Sequence, residues 1–326
     1  MRWLGWGLTG LVALWAGWWW IAATTVERSA AAWFAALGDA GWDARQGGLS
    51  VAGFPSRLDL TVTAPQLYDP VQQVGWTGAF AQVLALAYRP WHVIAALPPD
   101  QTIRLGEAEL RLTSDRLRAS LVVAPSPALT LERIAIEGDG LRLAVANGAA
   151  VAASLRAGTR GVGGGEGGGG RVHDAALALA GLRLDAPLPP EAPAGDASLR
   201  LEMRLTFSDP LDRHAPRTRP RVLALDLAEG RLVWGPMVLA AQGSLRADAA
   251  GLAEGRIEIT ADDWPRALAL ATAAGLVDPG LAPTWAAMAG ALSDAAGTPG
   301  RVAIPLILGN GRMSLGPLPI GPAPRL

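Results

Sequence analysis

The chain has 326 residues, of which half are hydrophobic and 17% are charged, and its formal net charge is −1. All 28 basic residues are arginine, and the chain contains no lysine and no cysteine. Half-apolar composition with little charge excludes a disordered chain, and the near-neutral balance predicts no nucleic-acid partner. The missing thiols and amines exclude disulfides, thiolate metal sites, Schiff-base chemistry and a P-loop lysine.

The first segment is the uncharged stretch Trp3–Val26, between Arg2 and Glu27. A helix of 24 residues is about 36 Å long, enough to cross a hydrocarbon core of about 30 Å. Five tryptophans lie near its two ends, at the headgroup levels that indole rings prefer: Trp3, Trp6, Trp18, Trp19 and Trp20. We therefore predict an uncleaved transmembrane anchor over residues 1–24. A cleaved signal peptide is the alternative, but its apolar part is normally only about 7–15 residues long.

The charges around this segment predict its orientation. Arg2 and the α-amino group precede it, whereas Glu27 and Arg28 follow it nearly balanced. The positive-inside bias then places the N-terminus in the cytoplasm and residues 25–326 in the periplasm, as a single-pass protein of the inner membrane. Helical spacing of apolar residues continues the helix as an amphipathic stalk over 26–37, with an end at Gly38 and Gly41.

The rest of the chain is dominated by apolar residues that alternate with polar ones. The clearest strands are 57–63 and 199–207, and alternation of this kind is typical of half-buried antiparallel strands. Their apolar side chains would line one face: Leu58, Leu60 and Val62, and then Leu201, Met203, Leu205 and Phe207. The fold class predicted is mostly β: an N-terminal transmembrane helix, then an elongated, curved antiparallel β-sheet domain with short helices near the C-terminus.

Local signals mark the connections. Gly309-Asn310-Gly311 between alternating segments predicts a hairpin. Asp262-Asp263 before Trp264-Pro265 predicts a helix N-cap, and two short helices are expected within 263–296, joined at Asp278-Pro279-Gly280. The stripe of Leu281, Trp285, Met288 and Leu292 in the second helix predicts core packing. The glycine-rich stretch 161–170 reads as a flexible loop within one β domain, with a domain boundary there as the alternative.

Motifs that could carry chemistry have simpler structural interpretations. Gly163, Gly165 and Gly168 match a dinucleotide fingerprint in form, but no strand precedes them and no helix follows. Ser50 lacks the glycine that closes a nucleophile elbow. The three histidines, His92, His173 and His214, are too widely spaced for a metal motif, and helix capping explains Asp262-Asp263. We therefore expect a non-enzymatic protein without catalytic residues, metal or cofactor.

Two blocks of sequence resemble a bacterial family of membrane-anchored proteins catalogued as domain of unknown function twenty-one twenty-five. The first block is Leu49–Leu60, with Gly53, Phe54, Pro55 and Arg57 as the motif residues. The second is Leu84–Ala95, followed by Pro98-Pro99-Asp100-Gln101. Its motif residues are Tyr88, Arg89, Pro90 and His92. The resemblance covers essentially the whole chain and brings no catalytic residue with it.

The C-terminal part is similar, more distantly, to AsmA-like proteins, through Gly243–Asp248, Gly255–Ile259 and Gly311–Pro319. That resemblance implies a long antiparallel sheet held at the inner membrane, with a concave face that can be apolar. We therefore expect an envelope protein that holds or transfers lipid-like molecules on an apolar groove, with the bilayer as its partner. The alternative is a structural envelope factor with a closed core that binds a protein partner.

Overall fold

A computed structural model describes residues 2–145, 148–163, 170–185, 189–190, 192–275 and 277–326. Within these residues the chain forms twenty β-strands and four α-helices, and every strand pairing is antiparallel. The mostly β, antiparallel fold class is thus confirmed. The chain divides into two compact units, unit 1 (residues 1–125 and 134–149) and unit 2 (residues 126–133 and 150–326). Most of the predicted glycine-rich loop, 164–169, lies outside the described residues.

Unit 1 begins with helix α1, Arg2–Asp39. Its last turn is closed by hydrogen bonds from the amides of Ala40, Gly41 and Trp42 to carbonyls of the helix, and α1 ends between Gly38 and Gly41, the two glycines predicted to end it. No helix among the described residues is both long enough and apolar enough to cross a membrane.

Two series of neighbouring strands follow in unit 1. One series runs β2–β3–β6–β7–β10 and the other β1–β4–β5–β8–β9–β11. Their bounds are β1 Asp43–Arg45, β2 Gly48–Ala52, β3 Arg57–Thr63, β4 Gln66–Asp69, β5 Val74–Gly78, β6 Phe80–Leu86, β7 Arg89–Ala96, β8 Asp100–Leu105, β9 Ala108–Thr113, β10 Arg116–Val123 and β11 Leu131–Val145. Alternation in β3 works as predicted, since Leu58, Leu60 and Val62 are buried while the residues between them are not.

Unit 2 is a meander in which each strand from β13 to β20 pairs with the next along the chain. The bounds are β12 Gly148–Gly161, β13 Val172–Asp185, β14 Ala197–Phe207, β15 Val222–Trp234, β16 Met237–Ala247, β17 Ala253–Asp262, β18 Arg301–Gly309, β19 Arg312–Leu315 and β20 Leu318–Pro322. The predicted hairpin is confirmed, because Gly309 pairs with Arg312 and only Asn310 and Gly311 connect the two strands.

Three helices belong to unit 2: α2 Ala215–Thr218, α3 Trp264–Ala273 and α4 Ala282–Ala295. The two predicted C-terminal helices are therefore present, but two details were wrong. Asp263 occupies the N-cap position of α3 without a capping hydrogen bond, since its carboxylate pairs instead with Arg266 at 2.8 Å. The predicted core stripe of α4 is only half correct, because Leu281 and Leu292 are exposed.

The face of α4 that does reach the core is spaced every four residues and includes Trp285 and Ala289. Ala289 packs in a cluster with Ala261 of β17 and Val302 and Ile304 of β18. Small alanine side chains let α4 approach the sheet closely, which explains why the buried stripe is displaced from the larger leucines.

Candidate functional site

The N-terminal helix lies against the turn between β2 and β3, which carries the first motif block. The Trp15 indole N–H donates to the Pro55 carbonyl at 2.9 Å, and the Trp19 indole N–H donates to the Arg57 carbonyl at 2.7 Å. The Trp19 ring also meets the Phe54 ring edge-on, with centroids 5.5 Å apart. Residues four apart on a helix share one face, so these two indoles attach α1 to the turn at successive positions.

One helical turn further on, the contact becomes fully apolar. Ala23 of α1 is buried against Leu58 of β3 and Ala87, with Val26 and Val51 beside them. Predicted anchor residues therefore have different environments: Trp6, Trp18 and Trp20 are exposed, Trp19 is packed against the sheet, and the side chain of Trp3 lies outside the described part.

The β2–β3 turn depends on the glycine of the motif. Gly53 has φ of +104°, and a Cβ there would lie 2.7 Å from the Cβ of Arg57. The amide of Arg57 donates to the Gly53 carbonyl at 2.8 Å, which closes the turn. Any larger residue would open this turn, so Gly53 sets the position of the Phe54 and Pro55 side chains.

The second motif block lies beside the first. The amide of Ala87 donates to the Ser56 carbonyl at 2.9 Å, and Leu86 pairs with Arg57 in the β3–β6 ladder. Tyr88, Arg89 and Pro90, which are all exposed, form the turn and the start of β7. The structure thus brings the two blocks, which residues 61–83 separate in the sequence, together as two adjacent hairpin tips.

The remaining motif residues have local partners. The imidazole Nε2 of His92 lies 3.0 Å from Ser120 Oγ, and Arg57 pairs with Asp59 at 2.8 Å. These contacts favour a structural role for both side chains.

Sequence reasoning missed Trp15, which is the other indole donor to the motif block. Its signal was present, since Trp15, Trp19 and Ala23 follow each other at intervals of four and so share one helix face. The same interval also predicts a packed face, which the membrane interpretation of the tryptophans did not consider.

A second candidate site is one side of the sheet in unit 2, which we call the apolar face. Strand register aligns aliphatic side chains across β14, β15, β16 and β17 on the same side: Leu199, Leu201, Met203, Leu205, Leu225, Leu227, Leu232, Leu239, Leu245, Ile257 and Ile259. On β14 and β15 these side chains are half-buried. The opposite side of the same strands carries Arg200, Glu202, Arg204, Arg231, Ser244 and Arg256.

The C-terminal helices cover one end of the apolar face. Trp264 of α3 and Met288 of α4 pack with Leu239, Ala261 and Ile304, which lie on β16, β17 and β18. The leucines and methionine of β14 are not part of that cluster.

The structure places the predicted groove residues in different units. Leu58, Leu60 and Val62 belong to unit 1 and are buried, with Leu58 packed against α1. Leu201, Met203, Leu205 and Phe207 belong to unit 2 and are half-buried. Only the second set therefore remains available as groove lining.

Polar groups that could support chemistry are few. His173 is fully buried, its Nε2 lies 3.1 Å from the Gly170 carbonyl, and its Nδ1 has no partner among the described residues. His214 is exposed. In the described part of the chain no group of three histidine or acidic side chains is placed to hold a metal ion.

The polar side of unit 2 contains an ion pair that lowers the pKa of its carboxyl group. Arg204 Nε donates to Asp174 Oδ1 at 2.7 Å across β13 and β14. Chiefly through this hydrogen bond, the guanidinium holds the pKa of Asp174 below its ordinary value. A carboxyl whose pKa is lowered by folding stabilises the fold above its unfolded pKa of about 3.9, and that contribution is lost as the pH falls through the folded value.

We therefore expect Asp174→Asn to lower the free energy of unfolding slightly at pH 7 and to lower it less at pH 2, because the wild-type carboxyl takes up its proton as the pH falls through its lowered pKa. Urea denaturation of both proteins at the two pH values measures this difference. Glu254→Gln, at an exposed carboxylate on β17 of the same sheet, is the control and should show no such dependence. An equal loss at both pH values would contradict the electrostatic explanation.

Comparison with curated proteins and with solved structures finds no match to this chain. The distant likeness to AsmA-like proteins is therefore not confirmed. The model of one protein family does match, over residues 19–324, a range that includes both hairpin tips and all of unit 2 except its last two residues. The chain belongs to the family described as "Uncharacterized protein conserved in bacteria (DUF2125)".

Proposed function

We propose that this protein is a non-enzymatic envelope protein, anchored in the inner membrane by α1, that holds lipid-like molecules by their acyl chains on the apolar face of unit 2. The observation that carries the proposal is the separation of aliphatic from charged side chains on β14 and β15. Aliphatic residues predominate on one side of these strands, every charged residue of β14 and β15 lies on the other, and the leucine and methionine side chains of the aliphatic side are only half-buried.

Acyl chains match the chemistry of this face. Leucine and methionine side chains offer no strong hydrogen-bond donors or acceptors, so a hydrocarbon chain can displace water from them without leaving a polar group unsatisfied. Methionine adapts to irregular apolar partners, and Met203 lies in the middle of β14. Because α3 and α4 cover the face toward β18, the ligand would lie along β14 and β15.

Anchoring by α1 is supported by its exposed side chains. Trp6, Leu11, Leu14, Trp18 and Trp20 are all exposed on the helix, which is an unfavourable arrangement in water and a favourable one in a bilayer. The charge bias of Arg2 over the nearly balanced Glu27 and Arg28 supports a cytoplasmic N-terminus and a periplasmic location for both units.

The test compares two glutamine variants on opposite sides of β14. Met203→Gln places an amide of similar size on the apolar face, and burying it against an acyl chain costs about 1–2 kcal/mol, or roughly a 5- to 30-fold rise in Kd. Glu202→Gln, one residue away on the polar side, should leave binding unchanged. The readouts are native mass spectrometry of detergent-extracted full-length protein for retained phospholipid, and titration with a fluorescent fatty acid.

Circular dichroism and urea midpoints must first show that both variants are folded. Wild-type protein without phospholipid, or Met203→Gln with unchanged affinity for the fatty acid, would contradict the proposal. A protein partner recovered by crosslinking at equal stoichiometry, with no lipid bound, would favour the structural alternative.

A further inference from the structure

The contacts of α1 with unit 1 limit how much of the helix can enter a membrane by itself. Among the described side chains of α1, that of Trp15 is the first to hydrogen-bond the β2–β3 turn. The twelve residues Trp3–Leu14 that precede it span only about 18 Å as a helix, less than the roughly 30 Å of a hydrocarbon core. If α1 is the anchor, the turn attached at Trp15 must therefore enter the membrane with it.

The β2–β3 tip has the composition that such a position requires. Phe54 is 53% exposed and Pro55 is exposed beside it. Together with Trp15, Trp18 and neighbouring leucine and valine side chains of α1, they line an open groove of about 710 Å³. Every side chain of this groove is apolar: Leu11, Val12, Leu14, Trp15, Trp18, Phe54 and Pro55.

The adjacent β6–β7 tip has a different composition, suited to the headgroup level. Tyr88 is 63% exposed, and tyrosine is enriched where a bilayer meets water. Arg89 follows it, is exposed, and has no carboxylate within ion-pair distance among the described residues. A free guanidinium is well suited to bind the phosphate of a phospholipid by paired hydrogen bonds.

We propose that the two hairpin tips form a membrane-contact surface, with Phe54 and Pro55 among the acyl chains of the bilayer and Tyr88 and Arg89 at its headgroups. This inference rests on the proposed anchoring by α1. It adds a second membrane contact, made by the β-hairpins of unit 1, and it assigns the same function, membrane contact, to both motif blocks.

The test measures the depth of single labels. Because the chain contains no cysteine, each introduced cysteine is the only thiol. The fluorophore NBD would be attached to Phe54→Cys, Tyr88→Cys, Leu11→Cys and Val71→Cys variants of the full-length protein, reconstituted into phosphatidylcholine–phosphatidylglycerol (3:1) vesicles. Val71 is the aqueous control, because it is 90% exposed and lies in the turn between β4 and β5. β4 pairs with β1, the strand that follows the C-terminal end of α1. Far-UV circular dichroism checks that each variant is folded.

Quenching by nitroxide lipids gives the expected pattern. The label at position 54 should be quenched several-fold more by acyl-chain nitroxides than the label at position 71. The label at position 88 should be quenched more by headgroup nitroxides than by acyl-chain ones. If the label at position 11 lies in lipid but the label at position 54 lies in water, the membrane-contact surface is overturned and the anchor is not. Labels at both positions in water would overturn the anchor itself, and this inference with it.

Discussion

A Gly243→Ala variant is expected to lose the folded state of unit 2 under conditions where the wild-type chain is stable. Gly243 lies in β16 opposite Ile257 of β17, with φ of +149°. A Cβ on Gly243 would lie 2.2 Å from the Arg256 carbonyl oxygen and 2.8 Å from the Ile257 Cα. Both obstacles are backbone atoms, so the two strands would have to separate along part of the ladder.

The expected loss is above about 4 kcal/mol, which is a large share of the roughly 5–15 kcal/mol that stabilises a typical domain. Hydrogen exchange of peptides that cover β16 and β17, together with urea denaturation, measures it. Gly309→Ala is the matched control, because no atom lies within 4 Å of the Cβ position in the last residue of β18. A Gly243→Ala protein within about 1 kcal/mol of wild type would show that the β16–β17 register is not as described.

The second large effect is expected for Trp19→Ala, which should release α1 from the sheet of unit 1. The substitution removes the indole hydrogen bond to the Arg57 carbonyl, the edge contact with Phe54 and part of the packing around Ala23. Truncation of a packed tryptophan costs about 3–5 kcal/mol. Peptides over 15–26 and over β2 and β3 should therefore exchange amide hydrogen faster, while peptides of unit 2 keep their protection.

Two variants separate the contributions to this contact. Trp20→Ala removes a neighbouring ring that is 65% exposed, and it should change exchange little. Trp19→Phe keeps an aromatic ring but loses the N–H donor, so a cost of about 1 kcal/mol is expected. If Trp19→Ala and Trp20→Ala behaved alike, α1 would not be held to the sheet by the face described.

Local patterns predicted the elements whose structure is decided locally. Alternation gave β3 its buried side chains, and the Asn310-Gly311 pair gave the hairpin between β18 and β19. The prediction that Asp263 caps α3 was wrong in detail, because Arg266, one turn later, pairs with the carboxylate that capping would use. The packing of α1 was not predicted, since a helix face rich in tryptophan suits a membrane and a sheet equally well.

The candidate sites were harder to predict, because they depend on which strands are neighbours. Alternation shows which residues of one strand share a face, but not which strand lies next to it. The sequence could therefore group Leu58 with Leu201, although the first is buried under α1 in unit 1 and the second lies in unit 2. The two motif blocks were located by resemblance, and only the pairing of β3 with β6 shows that their tips are adjacent.

The two indole hydrogen bonds from α1, one to the β2–β3 turn and one to the start of β3, also have a mechanical consequence. Trp15 and Trp19 are one helical turn apart, and the carbonyls that they hold belong to Pro55 and Arg57. A single attachment point would act as a pivot, whereas two points at different heights resist both rolling of the helix about its axis and sliding along it. A change in the tilt of α1 would therefore be transmitted as torque to the hairpin, and the helix and the β2–β3 turn would move as one lever.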